Sequence, residues 1–201
     1  MTTALVVLAG YLAGSVPTGY WVVRAWRGVD IRTVGSGNIG ASNVWRVFGR
    51  RYGVPVVLLD VAKGFGPALV GTLLAGDLTG VLAGGAAMLG HWRPLFLRFE
   101  KGGKTVATAG GAFLGVAPVV GGIGAAIWIA TFLLLRYASL ASILAACSLP
   151  ILAALLGEPW PVIVFGALAA VAVVLLHRAN IARLRAGTEN RFRFRREAPA
   201  R

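Results

Sequence analysis

The chain has 201 residues with 20 Lys and Arg against 7 Asp and Glu, yet only 13% of its residues are charged and 57% are apolar. Soluble domains carry about a quarter charged residues, so a water-soluble globular protein is excluded, and the length suits one domain spanning 1–201. The net charge of +13 does not point to nucleic acid, because the cations stand in blocks between apolar runs.

Seven apolar stretches follow one another, at 3–23, 54–75, 78–89, 106–118, 123–135, 140–156 and 162–176. A helical crossing needs about 20 residues, fewer where the bilayer thins. The stretches 78–89 and 106–118 are therefore short enough to be steep, partial or re-entrant. The expected fold is all-α, a polytopic transmembrane helical bundle of seven spans, with five as the fallback count. Charge sets its orientation. With seven crossings, nineteen of the twenty Lys and Arg fall on one side, in 24–51, 91–104, Arg136 and 177–201, with Lys63 the exception. The opposite loops hold Asp77 and Glu158 and no cation. Positive charge stays cytoplasmic, which predicts an outside N-terminus and a cytoplasmic C-terminus. No Lys or Arg precedes the first stretch, so a cleaved signal peptide is not expected. The lone Cys147 sits in an apolar run and has no partner for an internal disulfide.

Local signals refine the first and second spans. Pro17 predicts a kink, with Ser15 and Thr18 able to satisfy the freed backbone groups. Asp60 and Lys63, three apart, are expected to pair, because a lone charge in the membrane is costly. The 28 glycines, dense at 80–90 and 110–124, suit close helix packing.

Three polar segments carry the chemistry. The first reads Val34-Gly-Ser-Gly-Asn-Ile-Gly-Ala-Ser-Asn43 and is followed by Arg46. Its Gly35-x-Gly37-x-x-Gly40 matches a dinucleotide fingerprint, and Asp60 lies at the expected distance, but that residue falls inside a span and the match is rejected. The glycines instead suggest a nest of backbone N–H groups for an anion. Ser36, Asn38, Ser42 and Asn43 add neutral donors, and Arg46 adds a fork suited to phosphate. In the second segment, Gly102-Gly-Lys104-Thr105 resembles the end of a nucleotide P-loop, but Arg98 stands where the leading glycine belongs. What remains is a turn presenting Lys104 at a helix start, where free N–H groups attract anions. In the third, His177 and Asn180 share a face if the last span continues as a helix, and 191–196 reads as a solvated tail. Ser139 and Ser142 open the sixth span, suited to capping or to substrate hydroxyls, and Ser142 is kept in the binding set.

These motifs, Gly14-Ser-Val-Pro17, 35–43, Gly90-His91 with 102–108, and His177-Arg-x-Asn-Ile-x-Arg-Leu-x-x-Gly-Thr-Glu189, resemble the bacterial acyl-phosphate-dependent glycerol-3-phosphate acyltransferase family over essentially the whole chain. Against that family's usual pattern, Ser42 replaces Thr, Arg93 replaces an aromatic, Thr105 replaces Gly, and the second motif is one residue longer, at Glu100 and Lys101. The resemblance implies transfer of an acyl group from acyl phosphate to the sn-1 hydroxyl of glycerol 3-phosphate, at a cytoplasm-facing site of a multi-pass bacterial inner-membrane protein. It implies no cofactor and no metal, and a monomer is expected.

Neither histidine has an Asp four residues on, so the dyad of soluble glycerolipid acyltransferases is absent. The donor phosphate is expected to take the hydroxyl proton itself. Lys104, His177 and Asn180 form the expected catalytic set. Arg46 and Lys104 are expected to clamp glycerol 3-phosphate with Ser36 and His177. Gly37, Gly40, Asn38, Ser42 and Asn43 would hold the donor, and Asn180 would orient the groups or donate to the oxyanion. The rival reading, a small transporter or channel for an anionic solute, needs polar groups at both ends of the bundle, whereas the outer loops are nearly bare.

Overall fold

The structure, a computed structural model, describes residues 1–192. Among these it is all-helical. The helices are α1 (Thr2–Ser15), α2 (Thr18–Arg27), α3 (Ala41–Phe48), α4 (Arg50–Trp92), α5 (Val106–Val116), α6 (Pro118–Leu135), α7 (Ala138–Leu155), α8 (Trp160–Leu176) and α9 (Arg178–Arg185). Every apolar stretch read from the sequence lies in this set. Four stretches are long and apolar enough to cross a membrane, namely Thr2–Arg27, Arg50–Leu97, Pro118–Leu135 and Ala138–Leu155. The bent pair Trp160–Leu176 with Arg178–Arg185 makes a fifth.

α4 runs 43 residues but is interrupted at Ala75 and at Gly76, where φ is +79° and a side chain would be strained. The chain folds back there, since a Cβ on Gly71 would stand 2.9 Å from the Gly80 Cα. The predicted turn at 76–77 is thus a break inside one long helix.

Glycine sets how closely the limbs approach. A Cβ on Gly14 would lie 2.1 Å from the Ala87 carbonyl oxygen, and one on Gly90 would lie 2.3 Å from that of Tyr11, which seats α1 on the second limb of α4. Gly64 and Gly111 bring the first limb equally close to α5, at 2.0 Å from Thr108 and Val61 oxygens. In lipid, where tails solvate Leu as well as protein does, such backbone contact replaces the hydrophobic drive for association. Gly110 and Gly122 are exceptions with open space around them. A core of Phe113, Val116, Val120, Leu149, Val162 and Phe165 joins α5 to α8, with Phe113 and Phe165 stacked at 5.0 Å.

The Pro17 kink is a full break, because α1 ends at Ser15 and α2 begins at Thr18. The Val16 carbonyl at the break accepts from the Thr18 N–H at 2.9 Å, and a lysine joins it. Lys63 Nζ donates to the Val16 oxygen at 3.1 Å and pairs with Asp60 at 2.8 Å. Thr18 Oγ1 donates to Asp60, while the Ser15 hydroxyl is buried without a partner among the described residues. The predicted Asp60–Lys63 pair therefore also ties α4 to the α1–α2 break.

Candidate active site

The first polar segment is shaped by Asn43, buried in the opening turn of α3. Its Nδ2 donates to the carbonyls of Val34 at 3.1 Å and Asn38 at 2.9 Å, and its Oδ1 accepts from the Ser36 N–H at 2.9 Å. Gly35 (φ +62°) and Gly37 (φ +69°) supply the left-handed turns around this amide. The expected N–H nest is not formed by these groups. Gly37 N–H donates to Val34 O at 3.1 Å and Gly40 N–H to Asn38 Oδ1 at 2.8 Å, so both donors are used within the loop, as is that of Ser36. Asn43 and the glycines build the loop. The groups that the loop displays are the exposed Ser36 and Ser42 and the half-buried Asn38 and Arg46.

The second segment is laid on the end of α4. Gly102 N–H donates to Trp92 O at 2.9 Å and Gly103 N–H to His91 O at 3.0 Å. Asn38 Nδ2 reaches across to Gly102 O at 3.4 Å, joining the first two segments. Thr105 keeps φ at +63° and is 3% exposed, its hydroxyl buried without a partner among the described residues. A β-branched residue in that region is strained.

The third segment corrects one expectation. The last span does not continue as a straight helix. It ends at Leu176, and α9 departs at 62° with His177 at the junction. His177 and Asn180 are nonetheless both buried. His177 Nδ1 lies 2.8 Å from Val173 O, and a carbonyl can only accept, so Nδ1 carries the proton and Nε2 is left as an acceptor. Burial first, and the Lys104 charge second, bring the His177 pKa down to about 4. The ring is neutral at physiological pH.

Lys104 Nζ donates to Asn180 Oδ1, joining the second segment to the third. Burial is the main reason its pKa falls to about 8; the charges of Arg183, Lys101 and Arg46 push the same way, and Glu189 opposes them. Arg46 stacks 5.2 Å over the Phe192 ring, with its Nε buried and unpartnered among the described residues. The structure thus gathers Asn38, Arg46, Lys104, His177 and Asn180 at one end of the bundle. Ser142 stands apart from their bonds. It donates to Ala138 O at 2.7 Å and accepts from Trp128 Nε1 at 3.1 Å. Neither serine caps α7, which has no side-chain cap.

Glu189 was not among the expected site residues. It accepts from Asn180 Nδ2 at 2.7 Å, Ser139 Oγ at 2.8 Å and Arg183 Nε at 2.7 Å. Desolvation pushes its carboxyl up, but those three donors outweigh it and hold the group below the usual range. The sequence did offer one signal, an acid ending a motif inside a strongly basic block. The expected solvated tail is also corrected in part: Phe192 is buried, and its N–H donates to Arg136 O at 2.7 Å. Residues 193–196 of that tail lie outside the described residues.

Cationic and amide side chains thus meet at one end of an apolar helical bundle, a set of donors whose chemistry suits a phosphoryl compound. Known proteins make the class specific. Residues 4–187 match the family model described as glycerol-3-phosphate acyltransferase. The chain is 47% identical over 195 residues to the glycerol-3-phosphate acyltransferase of Desulforudis audaxviator, covering 97% of this chain and 98% of the relative. It is 48% identical to that of Geotalea daltonii, covering 96% and 100%. It also matches the crystal structure of PlsY (YgiH), an integral membrane glycerol 3-phosphate acyltransferase, in its glycerol 3-phosphate form, with a TM-score of 0.90, 41% identity and 96% of each chain covered. The lysophosphatidic acid form gives 0.88 and 40%. The chain belongs to the glycerol-3-phosphate acyltransferase family.

Proposed function

We propose that this cluster of side chains holds glycerol 3-phosphate against an acyl phosphate, with every group acting from the cytoplasmic side. The chain is a membrane acyltransferase of phospholipid synthesis that converts glycerol 3-phosphate to lysophosphatidic acid. In the proposed step, the sn-1 oxygen bonds to the acyl carbon, the carbon–oxygen bond to phosphate breaks, and the departing phosphate takes the hydroxyl proton.

Arg46 and Lys104 hold the phosphate of glycerol 3-phosphate, with Ser36 beside them. His177, with only Nε2 open as an acceptor, receives a hydrogen bond from the glycerol hydroxyl rather than giving one to phosphate. This revises the sequence-based expectation for that residue. Asn180 accepts from Lys104 at Oδ1 and gives one Nδ2 proton to Glu189, so it orients the lysine and has its second Nδ2 proton to donate to the oxyanion. Asn38, Ser42 and the loop built by Gly37, Gly40 and Asn43 face the donor. Ser142, its proton given to Ala138, can meet a substrate only as an acceptor of a hydroxyl hydrogen bond.

The charge pattern supports seven crossings, with the two limbs of α4 counted separately and α5 as a short one. It also supports an outside N-terminus, and a monomer in the bacterial inner membrane is the simplest assembly. The observation that carries the reading is the direct bond from Lys104 to Asn180, with Glu189 behind it and Arg46 within electrostatic reach.

The test is phosphate release from synthetic acyl phosphate by protein purified in detergent, with and without glycerol 3-phosphate and with acyl-CoA as a parallel donor. Release is expected to depend on glycerol 3-phosphate. Lys104→Ala and Asn180→Ala should each lose about a hundredfold in turnover, or roughly 2–4 kcal/mol, while eluting as the wild type does. Near-normal rates in either variant would sink the assignment.

A further inference from the structure

Beneath the Gly102-Gly103-Lys104 turn lies a polar residue that the reaction scheme leaves unused. His91, in the last turn of α4, is 4% exposed. Its ring is pressed against the turn, because a Cβ built on Gly103 would stand 1.8 Å from His91 Nε2 and 2.5 Å from Cε1. Its backbone oxygen accepts from Gly103 N–H at 3.0 Å and would meet a Gly102 Cβ at 2.1 Å. The turn is therefore seated on His91 through both ring and backbone.

The ring in turn rests on a charged support. His91 Nδ1 lies 3.7 Å from Asp60 Oδ1, too far for a hydrogen bond and without a partner among the described residues, and Asp60 is held by Lys63 and Thr18. Lys63 also anchors the Val16 carbonyl at the α1–α2 break. Charged groups at membrane depth are retained only where they do something. These connect the helix break to the turn that carries Lys104.

We propose that His91, backed by Asp60, is a positioning residue that sets the height of Lys104 in the glycerol 3-phosphate site. Glycine is required at 103 because the imidazole occupies the place of its side chain. Removing the ring lets the turn sink, and adding a methyl at 103 pushes it off the ring. Both displace the ammonium from the phosphate, while the donor loop at 35–43, which meets the turn through the long 3.4 Å Asn38–Gly102 bond, is disturbed less. This inference rests on Lys104 being a phosphate ligand.

The experiment measures kcat and both KM values in detergent for Gly103→Ala, His91→Ala, the double variant, His91→Gln and Lys104→Ala. Gly103→Ala should raise the glycerol 3-phosphate KM about tenfold, with the acyl phosphate KM within about twofold. His91→Ala should raise it several-fold, and the double variant should be no worse than His91→Ala alone, because the methyl then has room. His91→Gln, whose amide reaches the position of Nε2, should recover most of the affinity. Effects that multiply in the double variant, or that fall equally on the donor KM, overturn the proposal. If His91→Ala is not recovered as a monodisperse protein, an unchanged KM in Gly103→Ala or a kcat-only loss in His91→Gln overturns it. A normal glycerol 3-phosphate KM in Lys104→Ala instead overturns the reading of the site beneath it.

Discussion

Lys104 illustrates how burial sets a residue's working range. Its ammonium is kept near pKa 8 by desolvation and by neighbouring cations. Phosphate binds the protonated form, so binding is undisturbed below pH 8. Above pH 8 the free protein must take up a proton to bind. The glycerol 3-phosphate KM should accordingly rise toward tenfold per unit above about pH 8. His177, with a pKa of about 4, stays neutral and adds no acid limb above pH 5. Initial rates from pH 6 to 9.5 check this, and Lys104→Arg should flatten the alkaline rise; a pH-independent KM for the wild type would contradict the argument. The donors at this scale were legible as residue types: Ser36, Arg46, Lys104, His177 and Asn180 stand out in an apolar chain. Their division of labour was not. Whether an amide binds substrate or shapes a loop depends on which partners fill it, and Asn43 and Asn180 look alike in sequence.

At the scale of elements, the breaks matter more than the helices. The unwound Val16–Pro17 step leaves a carbonyl inside the apolar region, and Lys63 meets it while balancing Asp60. Removing one member of such a buried pair leaves an uncompensated charge, which costs about 3–5 kcal/mol. Lys63→Met should therefore lower the unfolding temperature in detergent by several degrees, and adding Asp60→Asn should restore much of it. Equal stability of the single variant and the wild type would count against the network. Hydropathy located the apolar helices α1 and α4 to α8, because apolar length acts locally, but not the short α3 inside the first polar segment. The fold-back at Gly76 falls at the gap between the stretches 54–75 and 78–89, whereas the bend at His177 escaped because it is decided by what the limbs pack against.

For the whole molecule, the segments carrying nearly all the cations converge through Asn38–Gly102, Lys104–Asn180, Ser139–Glu189 and Arg136–Phe192 bonds. Those contacts fit the one-sided charge distribution read from the sequence and the proposed cytoplasmic mouth. In a Cys147→Ser background, cysteines at Asp77 and Glu158 should react with an impermeant thiol reagent from outside intact cells. Cysteines at Ser42 and Arg185 should react only after the membrane is opened. Labelling of all four from one side would refute the seven-crossing arrangement.

Glu189 lies beyond the last apolar helix, yet it fixes Asn180 and Ser139 and, through Asn180, Lys104. During synthesis, every hydrophobic helix is thus available for insertion before the residue that assembles the centre has left the ribosome. A chain truncated just short of Glu189 would keep every hydrophobic helix yet lack the residue that joins Asn180 to Ser139, so membrane insertion and catalytic competence are separable.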